Sequence, residues 1–298
     1  MRFLGWTAAL LLGCGAGCSA ARAQSWTDVA SWDAVKPTVT KNVVYRTVSG
    51  SGGGMDLHMD VLQVASAKPT PVVVQLHGGG WIRGDRPGSF HTFRALLAAG
   101  MSVVTVDYRV ARDAMAPAAI GDTRCALAWV KANAAKYNFD VNKVVLYGAS
   151  AGGHLALMGA YAPASFTPAE CSDQPKVAAV LDFYGPTNLV EGLTQHGSAA
   201  FTSEWLGADG DVQARAKEMS PMTYIRKGLP PTFIVNGDAD HTVDPTQSAQ
   251  LKKALDAAGV PNGQDIVPGG GHGEFSVAES DKAMLLCLKF LQANGVLK

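Results

Sequence analysis

The chain reads as α/β class, with a mostly parallel central sheet, helices on both faces and an antiparallel hairpin at its N-terminal end. Three observations predict this. Short apolar runs at 72–76, 103–106, 144–147, 177–181, 232–235 and 264–267 have the pattern of strands covered on both faces. Helical segments separate most of them, at 90–99, 117–137, 151–161 and 245–258, with a last helix over 279–293, and this alternation is what a parallel sheet requires. Ahead of these, Met55, Leu57, Met59 and Val61 alternate with polar residues like a half-buried strand. The glycine-rich stretch 50–54 suits a turn joining it to a strand over 43–48.

At 298 residues, with 47% hydrophobic and 17% charged residues, the chain has ample material for one large core. No internal repeat or low-complexity linker divides it, so 24–298 is expected to be a single domain. Residues 24–41 lack periodicity and read as a surface arm. The interval 185–230, far longer than one crossover needs, contains His196, Phe201, Trp205 and Tyr224 and is expected to form a small cap or lid.

Residues 1–23 read as a signal peptide: a basic start at Arg2, an apolar run, and Ala21-Arg22-Ala23 as the cleavage site. That predicts a secreted or periplasmic protein. A rival site, Leu11-Leu12-Gly13-Cys14, resembles a lipoprotein box with a lipid anchor at Cys14. No later segment is long and apolar enough to span a membrane. Formal charge is zero and no basic run is present, which argues against nucleic-acid partners. Cleavage leaves Cys125, Cys171 and Cys287, whose spacing fits no zinc or redox motif, so no metal is expected. One bridge plus one thiol is expected, Cys125 with Cys171 on the same face of the sheet; three small buried hydrophobes is the open alternative.

Chemistry concentrates at strand ends. Gly148-Ala149-Ser150-Ala151-Gly152 fits G-x-S-x-G between a buried strand and a helix, the setting in which a strained turn lifts a serine oxygen above the sheet. His77-Gly78-Gly79-Gly80 follows another strand; glycines there let backbone N–H groups converge on a developing oxyanion. Gly79, Gly80 and Ala151 are the expected donors, and His77 is expected to brace the loop. A serine hydroxyl needs a base, and the base a carboxylate. Asp240 and His272 occupy the loops after the strands at 232–235 and 264–267, in the order Ser, acid, His, at the same sheet edge as Ser150. Asp238 is the rival acid, better suited to a turn. Asp244 is expected to cap the helix at Pro245. His154 reads as a packed histidine, His241 as too close to the acid in sequence, and His196 as a substrate contact or a surface residue. Trp81, beside the oxyanion loop, is the expected substrate-binding side chain, lining the acyl pocket.

His77-Gly78-Gly79-Gly80-Trp81, Asp107-Tyr108-Arg109, Gly148-Ala149-Ser150-Ala151-Gly152-Gly153-His154 and Gly237-Asp238-Ala239-Asp240 with Gln247-Ser248 resemble the α/β-hydrolase esterase/lipase family. Within it the chain is most similar to bifunctional feruloyl and acetyl-xylan esterases, from Met55 to Lys298. The resemblance implies an α/β-hydrolase fold, the triad above and a carboxylic ester substrate. Two positions depart: Val243-Asp244-Pro245 stands where Val-Pro is usual, and Asn188 where Asp is usual.

The expectation is therefore a serine carboxylesterase working through an acyl-enzyme without cofactor. Its substrate would be a small ester or one linked to polysaccharide, with short acyl or feruloyl groups. Alternatives are an arylformamidase acting on N-formylkynurenine, a secreted serine peptidase, and a non-catalytic binding module on a hydrolase scaffold.

Overall fold

The computed structural model describes residues 26–50, 53–87 and 89–298, so the expected signal peptide, its cleavage site and Cys14 lie outside the described residues. Eight strands form one sheet in the order β1-β2-β4-β3-β5-β6-β7-β8. They are β1 Thr38–Gly50, β2 Gly53–Gln63, β3 Thr70–Leu76, β4 Ser102–Val106, β5 Phe139–Ala149, β6 Val177–Phe183, β7 Thr232–Gly237 and β8 Asn262–Val267. The β1–β2 and β2–β4 pairings are antiparallel and the remaining pairs parallel, as the sequence pattern predicts.

The helices are α1 Arg94–Ala98, α2 Ala118–Ala132, α3 Ala134–Tyr137, α4 Ala151–Tyr161, α5 Leu189–Gly192, α6 Ala199–Leu206, α7 Val212–Glu218, α8 Pro245–Ala257 and α9 Val277–Ala293. The segment expected at 117–137 is broken in two at Asn133, and that at 90–99 begins as a 3₁₀ turn, Phe90–Phe93. Period-two alternation sorts the strand residues into two cores. Val72, Val74 and Leu76 pack with α2, α4 and α8 on one face, while Val73 packs with α1 and α9 on the other.

The segment expected to be a surface arm, 24–41, is tied to the body of the fold, and its last residues, from Thr38, belong to β1. Val29–Ala34 forms a 3₁₀ turn whose Trp32 is 1% exposed in the α1–α9 core. The Trp32 indole N–H donates to the Trp26 carbonyl at 2.8 Å, and the Arg94 guanidinium lies 5.3 Å from the Trp32 ring centroid. Trp26, Val29 and Val35 pack around it, so isolated apolar side chains anchor the arm, which periodicity cannot register.

Asp107-Tyr108-Arg109 acts as a structural clasp. Arg109 donates to Asp122 on α2 through Nε at 2.9 Å and Nη2 at 2.8 Å, and Arg46 on β1 reaches the same fully buried carboxylate at 2.6 Å. Cys125 on α2 is disulfide-bonded to Cys171, 46 residues on, while Cys287 on α9 is a free, buried thiol. Closing a loop of that size removes denatured-state entropy worth up to about 4 kcal/mol.

At the β5–α4 junction the helix packs directly against the sheet backbone. A Cβ on Gly152 would stand 2.1 Å from the Leu76 carbonyl oxygen, so only glycine lets α4 approach β3. Beneath it sits Asp182 of β6, fully buried, accepting the Gly185 N–H at 3.1 Å through one oxygen while the other has no hydrogen-bond partner. Burial pushes this carboxyl up to about 8, so it is held protonated at neutral pH.

Two predictions follow from these contacts. Trp32→Ala will destabilise the protein by about 3–5 kcal/mol, read by urea unfolding; a smaller effect than about 1 kcal/mol would show the arm contributes little. Asp182 stays protonated in the fold to about pH 8 but ionises near 3.8 when unfolded, so its share of stability is full below the lower value and falls between the two. Asp182→Asn removes that loss, and its stability relative to wild type will rise from pH 5 to pH 7.5 by up to about 1.4 kcal/mol per pH unit. A pH-independent difference would contradict the buried-acid assignment.

Candidate active site

The C-terminal ends of β3, β5, β6, β7 and β8 bring their following loops to one edge, where ligands bind in parallel sheets. Ser150 sits between β5 and α4 at φ 56° and ψ −124°, with its N–H donating to the Phe183 carbonyl at 2.8 Å. Among the described residues, five non-glycine residues have positive φ. Two are asparagines, which tolerate it; the other three, Trp81, Ser150 and Tyr184, all surround this edge.

Ser150 Oγ lies 2.8 Å from His272 Nε2, and His272 Nδ1 lies 2.7 Å from Asp240 Oδ2. A carboxylate only accepts, so Nδ1 carries the proton and Nε2 is left to accept from the serine hydroxyl. Asp240 is 5% exposed, and its other oxygen accepts the N–H groups of Thr242 at 2.8 Å and Val243 at 2.9 Å. Those two bonds hold the carboxylate plane fixed behind the imidazole. The three groups thus form one hydrogen-bonded series with the nucleophile at its exposed end.

The loop after β3 carries Gly79, Gly80 and Trp81 at φ 120°, 62° and 60°. A Cβ on Gly79 would overlap the Arg83 carbonyl oxygen at 2.0 Å, so the turn that aims this backbone at Ser150 requires glycine. Gly79 and Gly80 line a cavity of about 420 Å³ together with Ser150, Tyr184, Phe201 and His272. Ala151, the first residue of α4, has one of the N–H groups that a helix start leaves without an intrahelical acceptor. A larger cavity, about 610 Å³ around Trp26 and Phe139, contains no Ser–His–Asp series.

His77 buttresses the loop. Its ring stacks on Tyr108 at 4.2 Å, and the Tyr108 hydroxyl donates to the His77 carbonyl at 2.8 Å. Asp238 is a turn residue whose Oδ1 accepts the Gly269 N–H at 2.6 Å, steering the loop that carries His272. Asp244 caps α8 by accepting the Thr246 N–H at 2.9 Å. His196 and His241 are exposed and line no part of this cavity.

Trp81 requires a correction. Its side chain is fully buried and does not line the cavity. It stacks on Trp205 of α6 at 4.7 Å, and its indole N–H donates to His154 Nδ1 at 3.1 Å. The other ring nitrogen of His154 must then carry the proton, and donates to the Met219 carbonyl at 2.7 Å. Burial lowers this imidazole to about 4, which keeps it neutral and its tautomer fixed. Trp81, His154 and Trp205 together clamp the oxyanion loop to α4 and α6.

The side chains that do line the cavity include two not foreseen in that role, Tyr184 and Phe201. Phe201 packs onto Gly80, where a Cβ would come within 2.9 Å of its ring. Tyr184 follows β6 at the same edge as the other functional loops, and that placement was the available signal. Residues 185–230 carry α5–α7, bury Leu189, Trp205 and Met219 in the core on the α4 face, and are pinned to α8: Gln247 Oε1 accepts the N–H groups of Thr187 at 2.7 Å and Asn188 at 3.0 Å. Asn188 serves this attachment and does not line the cavity.

Comparisons place this geometry among known proteins. The BD-FAE family model matches residues 55–255. Esterase LipQ of Mycobacterium tuberculosis is 27% identical over 254 residues, covering 82% of this chain and 60% of that one. Esterase LipC of the same organism is 31% identical over 216 residues, covering 69% and 53%. The chain thus spans little more than half the length of these two relatives. Among solved structures, a truncated carbohydrate esterase from gut microbiota shares 25% identity at TM-score 0.70, over 87% of this chain and 97% of that one. Thermogutta terrifontis esterase 2 phosphorylated by paraoxon shares 28% identity at TM-score 0.71, over 88% and 96%. With its strand order, its Ser–His–Asp series and the match of two thirds of its length, the chain is an α/β hydrolase and belongs to the BD-FAE family.

Proposed function

We propose that the protein is a serine carboxylesterase that hydrolyses short-chain acyl esters, including those carried on plant polysaccharide, after export from the cytoplasm. The observation that carries this reading is the Ser150–His272–Asp240 series opening onto a cavity walled by Gly79 and Gly80. Ser150 Oγ attacks the ester carbonyl carbon as its proton passes to His272 Nε2. The carbonyl oxygen gains negative charge and is met by the N–H groups of Gly79, Gly80 and Ala151. Collapse expels the alcohol oxygen, which takes the proton back from Nε2. Water then repeats the sequence on the acyl-enzyme, restoring the serine and releasing the acid. Asp240 keeps Nδ1 protonated and stabilises the imidazolium formed in each half. No step calls for a metal or organic cofactor.

The leaving oxygen must face His272 to receive its proton, so the acyl group points the other way, toward Gly80. There Phe201 closes the space, which favours acetyl and other short acyl groups over feruloyl. The esterases among the relatives and the carbohydrate esterase among the structural neighbours support this choice of substrate class. The basic start, apolar run and Ala21-Arg22-Ala23 support export, with cleavage near Ala23 rather than lipidation at Cys14.

Ser150→Ala will lower kcat/KM on p-nitrophenyl acetate by on the order of 10⁴-fold or more. Methyl ferulate, acetylated xylan and N-formylkynurenine complete the panel. Activity retained by the variant would overturn the triad, and preference for N-formylkynurenine would move the protein to amide hydrolysis. Phe201→Ala will shift the optimum among p-nitrophenyl esters from acetate toward butyrate or longer; an unchanged profile would place the acyl group elsewhere. Export is checked by the N-terminal sequence of the protein recovered outside the cytoplasm, expected at Gln24.

A further inference from the structure

Among the described residues, Arg83 is the arginine whose guanidinium has no partner. Each of the others is ion-paired to a carboxylate or donates to a backbone carbonyl. Arg83 is exposed, and it lines the cavity that holds Ser150 and His272. The loop carrying it turns tightly, since the N–H groups of Ile82 and Arg83 both donate to the Gly79 carbonyl at 3.2 Å. Arg83 Cγ consequently stands 3.4 Å from where a Cβ on Gly79 would lie, so its stem runs beside an oxyanion donor. Of the residues lining the cavity, Arg83 carries the permanent charge. Asp240, the carboxylate of the triad, is 5% exposed, committed to His272 and outside the lining.

Sheet order fixes which side of an ester Arg83 can meet. The loop after β3, with Arg83, flanks Ser150 on one side of β5, and the loop after β8, with His272, flanks it on the other. His272 Nε2 returns its proton to the leaving oxygen, so the alcohol lies toward β8 and the acyl group toward the β3 loop. An unpaired guanidinium there presents a planar fork of N–H donors and a fixed positive charge, which match a carboxylate in shape and sign. A plain acetyl or butyryl chain leaves that group hydrated and unused. A carboxylate on the acyl chain would be repelled by the oxyanion forming at Gly79 and Gly80, and the cation beside them offsets that repulsion.

We propose that Arg83 is a specificity-determining residue and that the preferred acyl group is a short chain ending in a carboxylate, so that the substrate is the half-ester of a dicarboxylic acid. This rests on ester hydrolysis at Ser150 and adds the charge of the acyl group and the residue that reads it.

The test holds the alcohol and the chain length constant and varies the charge, comparing kcat/KM on ethyl hydrogen succinate with that on ethyl butyrate near neutral pH. The wild type is expected to prefer the half-ester by about tenfold, through KM rather than kcat. Arg83→Gln is expected to abolish the preference, Arg83→Lys to keep part of it and Arg83→Glu to invert it. Raising salt from about 0.01 M to about 1 M shortens the screening length from roughly 30 Å to roughly 3 Å. The wild-type preference is expected to shrink accordingly, and the ratio in Arg83→Gln to stay level. No preference in the wild type, or one that survives in Arg83→Gln and Arg83→Glu, would overturn the proposal. Phenyl acetate and 4-acetoxybenzoate move the charge to the alcohol, and an Arg83-dependent preference confined to that pair would overturn the acyl-side assignment. Calorimetric binding of ethyl hydrogen succinate to Ser150→Ala, with and without Arg83→Gln, separates this proposal from the esterase reading. Arg83-dependent binding, in a protein whose wild type hydrolyses neither ethyl ester, would sink the esterase reading and leave the anion site. Hydrolysis of ethyl butyrate with no Arg83-dependent preference would sink the anion site and leave the esterase.

Discussion

Everything at this site depends on one close approach, that of α4 to the C-terminal end of β3. Gly152 rests against the Leu76 carbonyl with no room for a side chain, so the chain leaving β5 must reverse within Ala149-Ser150-Ala151. Ser150 absorbs the reversal at a positive φ that a serine does not choose on its own. The same approach sets the start of α4 beside the Gly79–Gly80 loop, so the nucleophile and its oxyanion donors are fixed by one packing event. The strain is local; the hydrophobic clusters on both sheet faces hold the surrounding elements in place.

Around that junction the molecule spends its buried polar groups on position rather than reaction. His154 is the clearest case. It has the residue type of a base and lies four residues from the nucleophile, yet both its nitrogens are committed, to the Trp81 indole and the Met219 carbonyl. Its depressed basicity reflects burial and keeps it out of proton transfer. His272 differs in being partly open to solvent, with one nitrogen committed to Asp240 and the other facing Ser150. Two histidines are thus given opposite tasks by the partners around their rings.

The segment 185–230 contributes in the same way. Its α6 places Trp205 against Trp81 and Phe201 against Gly80, while Gln247 of α8 holds its entry at Thr187 and Asn188. It is a packed wall of the site, built from apolar residues that look like ordinary core in the sequence. Tyr184, at the entry to this segment, faces His272 and Phe275.

By itself the sequence determined that the sheet is mostly parallel with an antiparallel hairpin at one edge, because alternation and continuous apolar runs report directly how many faces each strand buries, whereas the order in which the strands lie side by side came from the structure. It also determined the placement of Ser150, Asp240 and His272 at one edge, since each follows a strand and parallel strands share an exit. Only the tertiary structure decided what Trp81, Trp32 and Tyr184 do. A tryptophan beside an oxyanion loop can face the ligand or the core with equal local propriety; Trp205, 124 positions further along the chain, supplied the stacking surface that turned it inward. Trp32 lay in a stretch with no period to read, and its burial came from α1 and α9. Tyr184 gained its role from a loop carrying His272 that is distant in sequence and adjacent in space. Periodicity reports a residue's relation to its own strand or helix, whereas a pocket wall is a relation between elements, and that relation exists only once they have packed.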